Sequence, residues 1–215
     1  MIPAILASLG YGLAISLIAF RCAAWLRSHP ARMAAALAAA CALLHLPVAG
    51  ISLLTLLRGT LGDLSLVTIV ILASAFLRAR AQKQKNTSPP PLPLAYIRLF
   101  ACAGLIFFLL SFGLLPIDIY IAGYASAALP CLVGALAFLL WLRGGRVLSL
   151  ALLTALAGWR LHCLDSTNLW DYLLDVPLLV AALGCAVFSR RSPQGQASCL
   201  PCRRPDALSE RNRSG

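Results

Sequence analysis

The sequence predicts an all-α fold: a polytopic membrane helix bundle of seven transmembrane helices, N-terminus outside and C-terminus cytoplasmic. Three observations predict it. First, 60% of the 215 residues are apolar and only 12% are charged, whereas soluble domains average about 45–50% apolar and about 25% charged. Mean hydropathy is accordingly high, at +0.86. Second, apolar stretches close to the roughly 20 residues that a spanning helix needs recur along the chain. Third, the basic residues gather on alternate connectors. The same composition excludes a disordered, collagen-like or coiled-coil chain.

The stretches follow in order. The first runs from Ile2 to Leu26, interrupted only by Arg21. It has no basic residue before it and is longer than a signal-peptide core, so it reads as a retained helix. The second, Met33 to Leu57, is rich in Ala and Leu. The third, Leu61 to Leu77, is short and places Asp63 in its first turn, where a carboxylate suits the positive end of the helix dipole. The fourth is Leu94 to Ile117. The fifth begins at Ile119 or Ala122 and ends at Leu142. The sixth runs from Val147 to about Leu164, with Arg160 and His162 in its last turns. The seventh runs from about Trp170 to Phe188, with Asp171 and Asp175 near its start.

Most connectors are tight. Arg58-Gly59-Thr60 and Arg143-Gly144-Gly145-Arg146 carry glycines of the kind at which helices stop. The connector 78–93 differs, because Ser88-Pro89-Pro90-Pro91-Leu92-Pro93 favours an extended polyproline-II spacer. The transmembrane domain thus occupies 1–188. Residues 189–215, polar and Arg-rich, form a flexible basic cytoplasmic tail.

Sidedness comes from charge. With seven spans, every Lys and Arg except Arg58 and Arg160 falls on the side shared by connectors 78–93 and 143–146 and the tail. The opposite side holds Asp63, Asp118, Asp165, Asp171 and Asp175. Short Lys/Arg-rich loops mark the cytoplasm, so the protein is placed in a bacterial inner membrane with an acidic outer face. The formal charge of +11 therefore describes an asymmetry between faces. Its expected partners are the bilayer and anionic lipid at the cytoplasmic face. Nucleic acid is not expected, since the basic residues lack a binding motif and aromatic interleaving.

The outer face carries the candidate site. Arg58, Asp63, Arg160, Asp165, Asn168 and Trp170 are the substrate-binding candidates, and Asp171, Asp175 and His162 the acid/base ones. Ionisable groups within spans are costly, roughly 2.5–3.5 kcal/mol on insertion scales, and are kept when paired, capping or functional. Asn168 and Asp171 have the spacing of a helix N-cap pair. Trp159, Trp170 and Tyr172 suit an interfacial belt. Asp175 lies deeper than that cap reaches. Three functions use this cluster. It could bind the headgroup of an envelope lipid or lipid-linked substrate, with Arg58 and Arg160 on phosphate and Asp171, Asp175 or His162 moving a proton or holding a divalent metal. A small transporter is the second, hinted at by Leu57-Arg58-Gly59 recurring as Leu142-Arg143-Gly144, the parity of an inverted repeat. The third is a non-catalytic accessory subunit of a membrane complex, whose small residues permit close helix packing with a membrane-protein partner. No nucleophile elbow, zincin motif or P-loop is present, and the sequence leaves the cofactor open. Cys199 and Cys202 form a lone C-x-x-C without the second pair a zinc site needs, so no metal site is expected.

Overall fold

The computed structural model describes residues 2–22, 30–48, 50–81, 94–112, 119–125 and 127–188. Helix dominates them, as the composition predicts, with one small two-stranded ribbon. The longer helices are α1 (Ile2–Cys22), α2 (Pro30–Leu44), α4 (Leu66–Ala81), α5 (Leu94–Ser111), α7 (Ala128–Leu142), α8 (Arg146–Arg160) and α10 (Val176–Phe188). The short ones are α3 (Leu53–Leu61), α6 (Ala122–Ala125) and α9 (Trp170–Leu173). One longer helix overlaps each of the seven apolar stretches. Ile2–Phe20 is the one described helix long and apolar enough to cross a membrane. Ala31–Leu44, Leu66–Ala79, Ile97–Ser111, Ala128–Leu142 and Val176–Val187 are shorter apolar helices.

Five stretches differ from the sequence expectation: the fifth is divided into α6 and α7, the sixth ends its helix at Arg160 with His162 beyond it, and the second, third and seventh differ as follows. The second is broken. Helix α2 stops at Leu44, and strands β1 (Pro47–Val48) and β2 (Ile51–Ser52) form an antiparallel ribbon pairing Pro47 with Ser52 and Val48 with Ile51. Pro47 lacks the N–H that a continuing helix needs, and Gly50 turns the ribbon at φ 86°. Ser52 Oγ then accepts the Thr55 N–H at 3.1 Å and starts α3. The third stretch begins its helix at Leu66, not Leu61, so Asp63 lies in the link before α4 and not in its first turn. The seventh is two helices, α9 and α10, separated by Leu174 in an extended conformation (φ −130°, ψ 140°). The Pro-rich part of connector 78–93 and the tail with Cys199 and Cys202 lie outside the described residues, although Arg78–Ala81 completes α4.

Packing fixes the direction of each helix. Helix α1 lies against α2 and α4, α4 against α8, α8 against α7, and α5 against α10. Ala7, Tyr11, Leu44, Leu54 and Leu64 share one core. Leu13, Phe20, Met33 and Phe76 share another, with the Phe20 and Phe76 rings 5.5 Å apart. So α1 and α4 run parallel, and α2 runs against them. Gly158 near the end of α8 faces Leu66 at the start of α4, where a Cβ on Gly158 would come within 2.1 Å of Leu66 Cδ1. Helices α4 and α8 are thus antiparallel and close, with Ala151 and Ala155 fully buried in the same core. Buried Ser149 Oγ donates to Ala137 O at 2.7 Å and ties α8 to α7. Gly104 faces Leu179 and Phe107 meets Trp170, so α5 and α10 are antiparallel. The result is an up-and-down bundle. Asp63, Asp165, Asp171 and Asp175 collect at one end; Arg32, Arg78, Arg98, Arg143 and Arg146 lie towards the other.

Candidate functional site

Asp175 sits where two helices begin. Its Oδ1 accepts the Leu178 N–H at 2.6 Å, which makes it the N-cap of α10. Its Oδ2 accepts the Ser65 N–H at 2.7 Å. Ser65 is itself the N-cap of α4, its Oγ accepting the Thr68 N–H at 3.2 Å. One carboxylate therefore satisfies donors at two parallel helix N-termini, each the positive end of a dipole. Asp175 is 6% exposed and Ser65 fully buried. The depth that set Asp175 apart in the sequence is explained by the break at Leu174: it caps a second helix that the apolar pattern does not separate from the first. Pro177 falls in the first turn of α10, where a missing N–H costs nothing.

Arg58 organises the exposed side of this end. Its Nε donates to Asp63 Oδ1 at 2.5 Å and its Nη2 to Asp63 Oδ2 at 2.8 Å, a bidentate pair. Nη2 also reaches Asp165 Oδ2 at 2.9 Å. The hydrogen bonds to Asp63 chiefly, and to Asp165, push the guanidinium above its ordinary range against a desolvation that opposes them. Helix α3 supplies Arg58, the link before α4 supplies Asp63, and the loop after α8 supplies Asp165. Tyr11 of α1 joins them, its hydroxyl donating to Gly62 O at 2.6 Å.

The third group joins 119–125 to 161–173. Buried Asn168 donates from Nδ2 to Tyr120 O at 3.1 Å and accepts the Trp170 N–H on Oδ1 at 3.0 Å. Leu169 N–H donates to Gly123 O at 3.0 Å. Trp170 Nε1 donates to Ile119 O at 3.1 Å, and its ring lies 4.5 Å from that of Phe107. The Tyr120 hydroxyl donates to both oxygens of Asp171 at 3.0 Å, and Ser166 Oγ donates to Oδ2. Burial first, then the Asp171 charge, raises the Tyr120 hydroxyl well above its ordinary value. A Cβ on Gly123 would fall 1.7 Å from Asn168 Oδ1 and 2.6 Å from Trp170 Cδ1, so only glycine lets these segments meet. Tyr172 closes the loop from inside, donating to Ser166 O at 2.9 Å and accepting the Leu164 N–H at 3.1 Å.

Arg160 and His162 stand apart. Arg160 is exposed, its guanidinium 5.8 Å from the centre of the neighbouring Trp159 ring. His162 is exposed and adopts φ 50°. It is the left-handed residue that ends α8: its N–H donates to Trp159 O at 3.1 Å and that of Cys163 to Gly158 O at 2.9 Å, a Schellman closure. The remaining candidates form three neighbouring clusters: Arg58 with Asp63 and Asp165, Asn168 and Trp170 with Asp171, and Asp175 with Ser65. Tyr11 and Tyr120 belong to these clusters and carry no signal in the sequence, because each acts across a long separation from within an apolar run. Among the described residues, Asp63, Asp165, Asp171 and Asp175 all accept hydrogen bonds from the protein, and none of them is hydrogen-bonded to His162. Among the described residues no three His, Cys, Asp or Glu side chains are grouped to hold a metal ion. Compared with known protein families, curated proteins and solved structures, the chain matches none.

Proposed function

We propose that the chain is a seven-span protein of a bacterial inner membrane whose outer end is a structural polar plate, and that it works as a non-catalytic subunit of a membrane assembly. The spans are α1, α2, α4, α5, α7, α8 and α10, with the Asp-bearing end outside and the Arg-bearing end in the cytoplasm. Outward-facing apolar side chains on these helices support the bilayer reading: Ile18, Leu43, Leu77, Leu99, Leu132, Leu153 and Val180 are all exposed. In water such a surface is an aggregation hazard; in lipid it is the required one.

The observation that carries the subunit reading is the commitment of Asp171 and Asp175 to internal hydrogen bonds. A general acid or base must reach substrate, and both carboxylates are already bound on two sides. The lipid-headgroup enzyme is less well supported for a second reason. Two carboxylates flank Arg58, so that group is net negative and repels phosphate. The transporter hint also weakens. Arg58-Gly59 lies inside α3, whereas Gly144 forms a turn at φ 80°, so the repeated letters do not adopt one conformation.

Complementation of a deletion strain tests the reading. Asp171→Asn and Asp175→Asn variants that accumulate to the normal level should restore the wild-type phenotype, and cross-linking in intact membranes should give one fixed larger species. A normally accumulating variant without function, or substrate flux into liposomes holding the chain alone, would contradict it.

A further inference from the structure

The exposed apolar surface of the bundle continues onto an element that is not a span. Between Arg32 and Arg58 the sequence holds no Asp, Glu, Lys or Arg, and the last part of this run is the β1–β2 ribbon with α3. Val48 pairs with Ile51, so their side chains share a face of the ribbon. The Leu53 N–H donates to Leu46 O at 3.1 Å and continues the pairing, and alternation along the strand places Leu46 on the face of Val48. Leu46, Val48 and Ile51 are each more than half exposed. Helix α3 is two-faced. Leu53, Leu54 and Leu57 pack on the core of Ala7, Tyr11 and Leu44, while Leu56 and Leu61 are exposed. The polar side chains here are turned inward on the protein: Ser52 and Thr55 hydrogen-bond each other at 2.8 Å, and Arg58 binds Asp63 and Asp165. A contiguous apolar surface of this kind marks an interaction site.

Height along α1 says what covers it. Ser8 Oγ lies 3.3 Å from His45 Nε2 at the base of the ribbon, and Ala7 and Tyr11 share a core with Leu54 of α3. The base of the ribbon and α3 therefore stand level with residues 7–11 of α1. Ile2 lies six residues before Ser8, about 9 Å further out at 1.5 Å per residue. Ile2, Ile5 and Leu9 are all exposed, on the helix that is long and apolar enough to cross a membrane. Helix α1 thus presents apolar side chains to its surroundings at the level of the ribbon and beyond it. A bilayer that covers α1 at this height covers the ribbon too.

Backbone chemistry sets the depth. The ribbon is a sheet of two strands, each pairing two residues, so its outer edges have no neighbouring strand. Open edges are not tolerated in hydrocarbon. At the headgroup–acyl boundary water and headgroups satisfy them while apolar side chains point inward to lipid.

We propose that the ribbon and α3 form a shallow anchor in the outer leaflet, with Leu46, Val48 and Ile51 inserted at the headgroup–acyl boundary. This surface rests on the membrane reading above. The anchor holds α3, and through Arg58 the carboxylates of Asp63 and Asp165, at a fixed height on the lipid surface. Residues 46–57 carry no charge, so insertion draws on apolar burial and not on the charge of the lipid.

Labelling of the full-length protein in liposomes tests it. A coumarin amino acid replaces Val48, Ile51, Asp165 or Leu136, one at a time. Quenching is read with phospholipids carrying a nitroxide at a shallow or a deep position of the acyl chain, and with iodide on both sides of the membrane. At Val48 and at Ile51 the shallow nitroxide should quench more than the deep one. Iodide should quench there at least roughly threefold less than at Asp165, because an insertion of about 5–10 Å takes the tip out of water. The pattern should be the same in phosphatidylcholine with and without phosphatidylglycerol. Iodide quenching at both tip positions equal to that at Asp165 overturns the anchor, since the tip would stand in water, open to a protein partner. Shielding from iodide and from both lipids also overturns it, since in liposomes holding this chain alone a second copy would be the cover. Stronger quenching by the deep nitroxide, or insertion only with phosphatidylglycerol, contradicts the stated depth and driving force. Leu136, exposed midway along α7, separates the two levels. Absence of lipid quenching at Leu136 refutes the membrane reading, whereas lipid quenching at Leu136 without it at the tip refutes the anchor alone.

Discussion

The Ser65 N–H donates to the Asp175 carboxylate at 2.7 Å across 110 residues of sequence. That contact joins the start of α4 to the start of α10, while the other oxygen of Asp175 caps its own helix. Removing the carboxylate strips acceptors from two buried helix ends. Asp175→Ala should cost about 2 kcal/mol, the upper range of a lost N-cap together with an orphaned buried donor. Asp175→Ser, which can cap α10 but is too short to reach Ser65, should recover part of that. Chemical unfolding of the purified variants checks both values. Equal stability of Asp175→Ala and wild type would remove the cap as the reason for this residue.

His162 ends α8 in a left-handed conformation that non-glycine residues adopt only at a cost of about 1 kcal/mol. His162→Gly should therefore stabilise the protein by a few tenths to about 1 kcal/mol and leave function intact. Thermal unfolding reads the first effect and complementation the second. Loss of function in a stabilised His162→Gly protein would return this residue to the list of acid/base groups.

The Arg58–Asp63 pair is partly exposed, so its worth is modest in spite of its bidentate geometry. A double-mutant cycle with Arg58→Ala and Asp63→Ala should give a coupling of about 0.5–1 kcal/mol that shrinks as salt is added. The cycle with Asp165, whose side chain is 69% exposed, should give less.

Tyr120 supplies a pH dependence. Burial chiefly, with the charge of Asp171, raises its hydroxyl above the ordinary 10.0. Above about pH 10 the unfolded chain releases this proton while the folded chain keeps it. Unfolding is then favoured, and stability falls with rising pH until the folded-state value is passed. Below that range the contribution is whole. Tyr120→Phe should lower stability near neutral pH by about 1 kcal/mol through the lost bond to Asp171 and make the alkaline decline shallower. Unfolding free energies measured on both sides of pH 10 decide it.

Gly123→Ala should be more damaging than an exposed glycine change, because its Cβ would meet fully buried Asn168 and the Trp170 ring. A loss of about 1–3 kcal/mol is expected for such overpacking, together with a shift in tryptophan emission. Gly59→Ala, exposed inside α3 and meeting nothing within 4 Å, is the control and should be neutral to stabilising by up to about 1 kcal/mol.

Much of the bundle was legible because apolar runs and glycine turns are local signals. Seven apolar stretches each yielded one longer helix, and the turn at Arg143–Gly145 fell where the paired glycines put it. The breaks were less legible. Pro47 and Gly50 do mark the ribbon inside the second stretch, but the run stays apolar across it and hides the change. At Leu174 no glycine marks the gap, and the signals are the cap at Asp175 and Pro177 just after it. The clusters at the acidic end were legible in kind, not in partnership. Asp63 was expected at a helix start and instead binds Arg58 from a link. Asp171 was expected as a cap residue and instead receives the hydroxyl of Tyr120. Such partnerships depend on which loops meet in space, and residue spacing along the chain does not carry that.

The proposed topology sets the acidic end of a seven-span bundle outside the membrane. Topology reporters test it most directly, one active only in the cytoplasm and one only in the periplasm, each fused after Thr167 and after Gly215. Periplasmic activity alone is expected at Thr167 and cytoplasmic activity alone at Gly215. The same reporter active at both positions would contradict it.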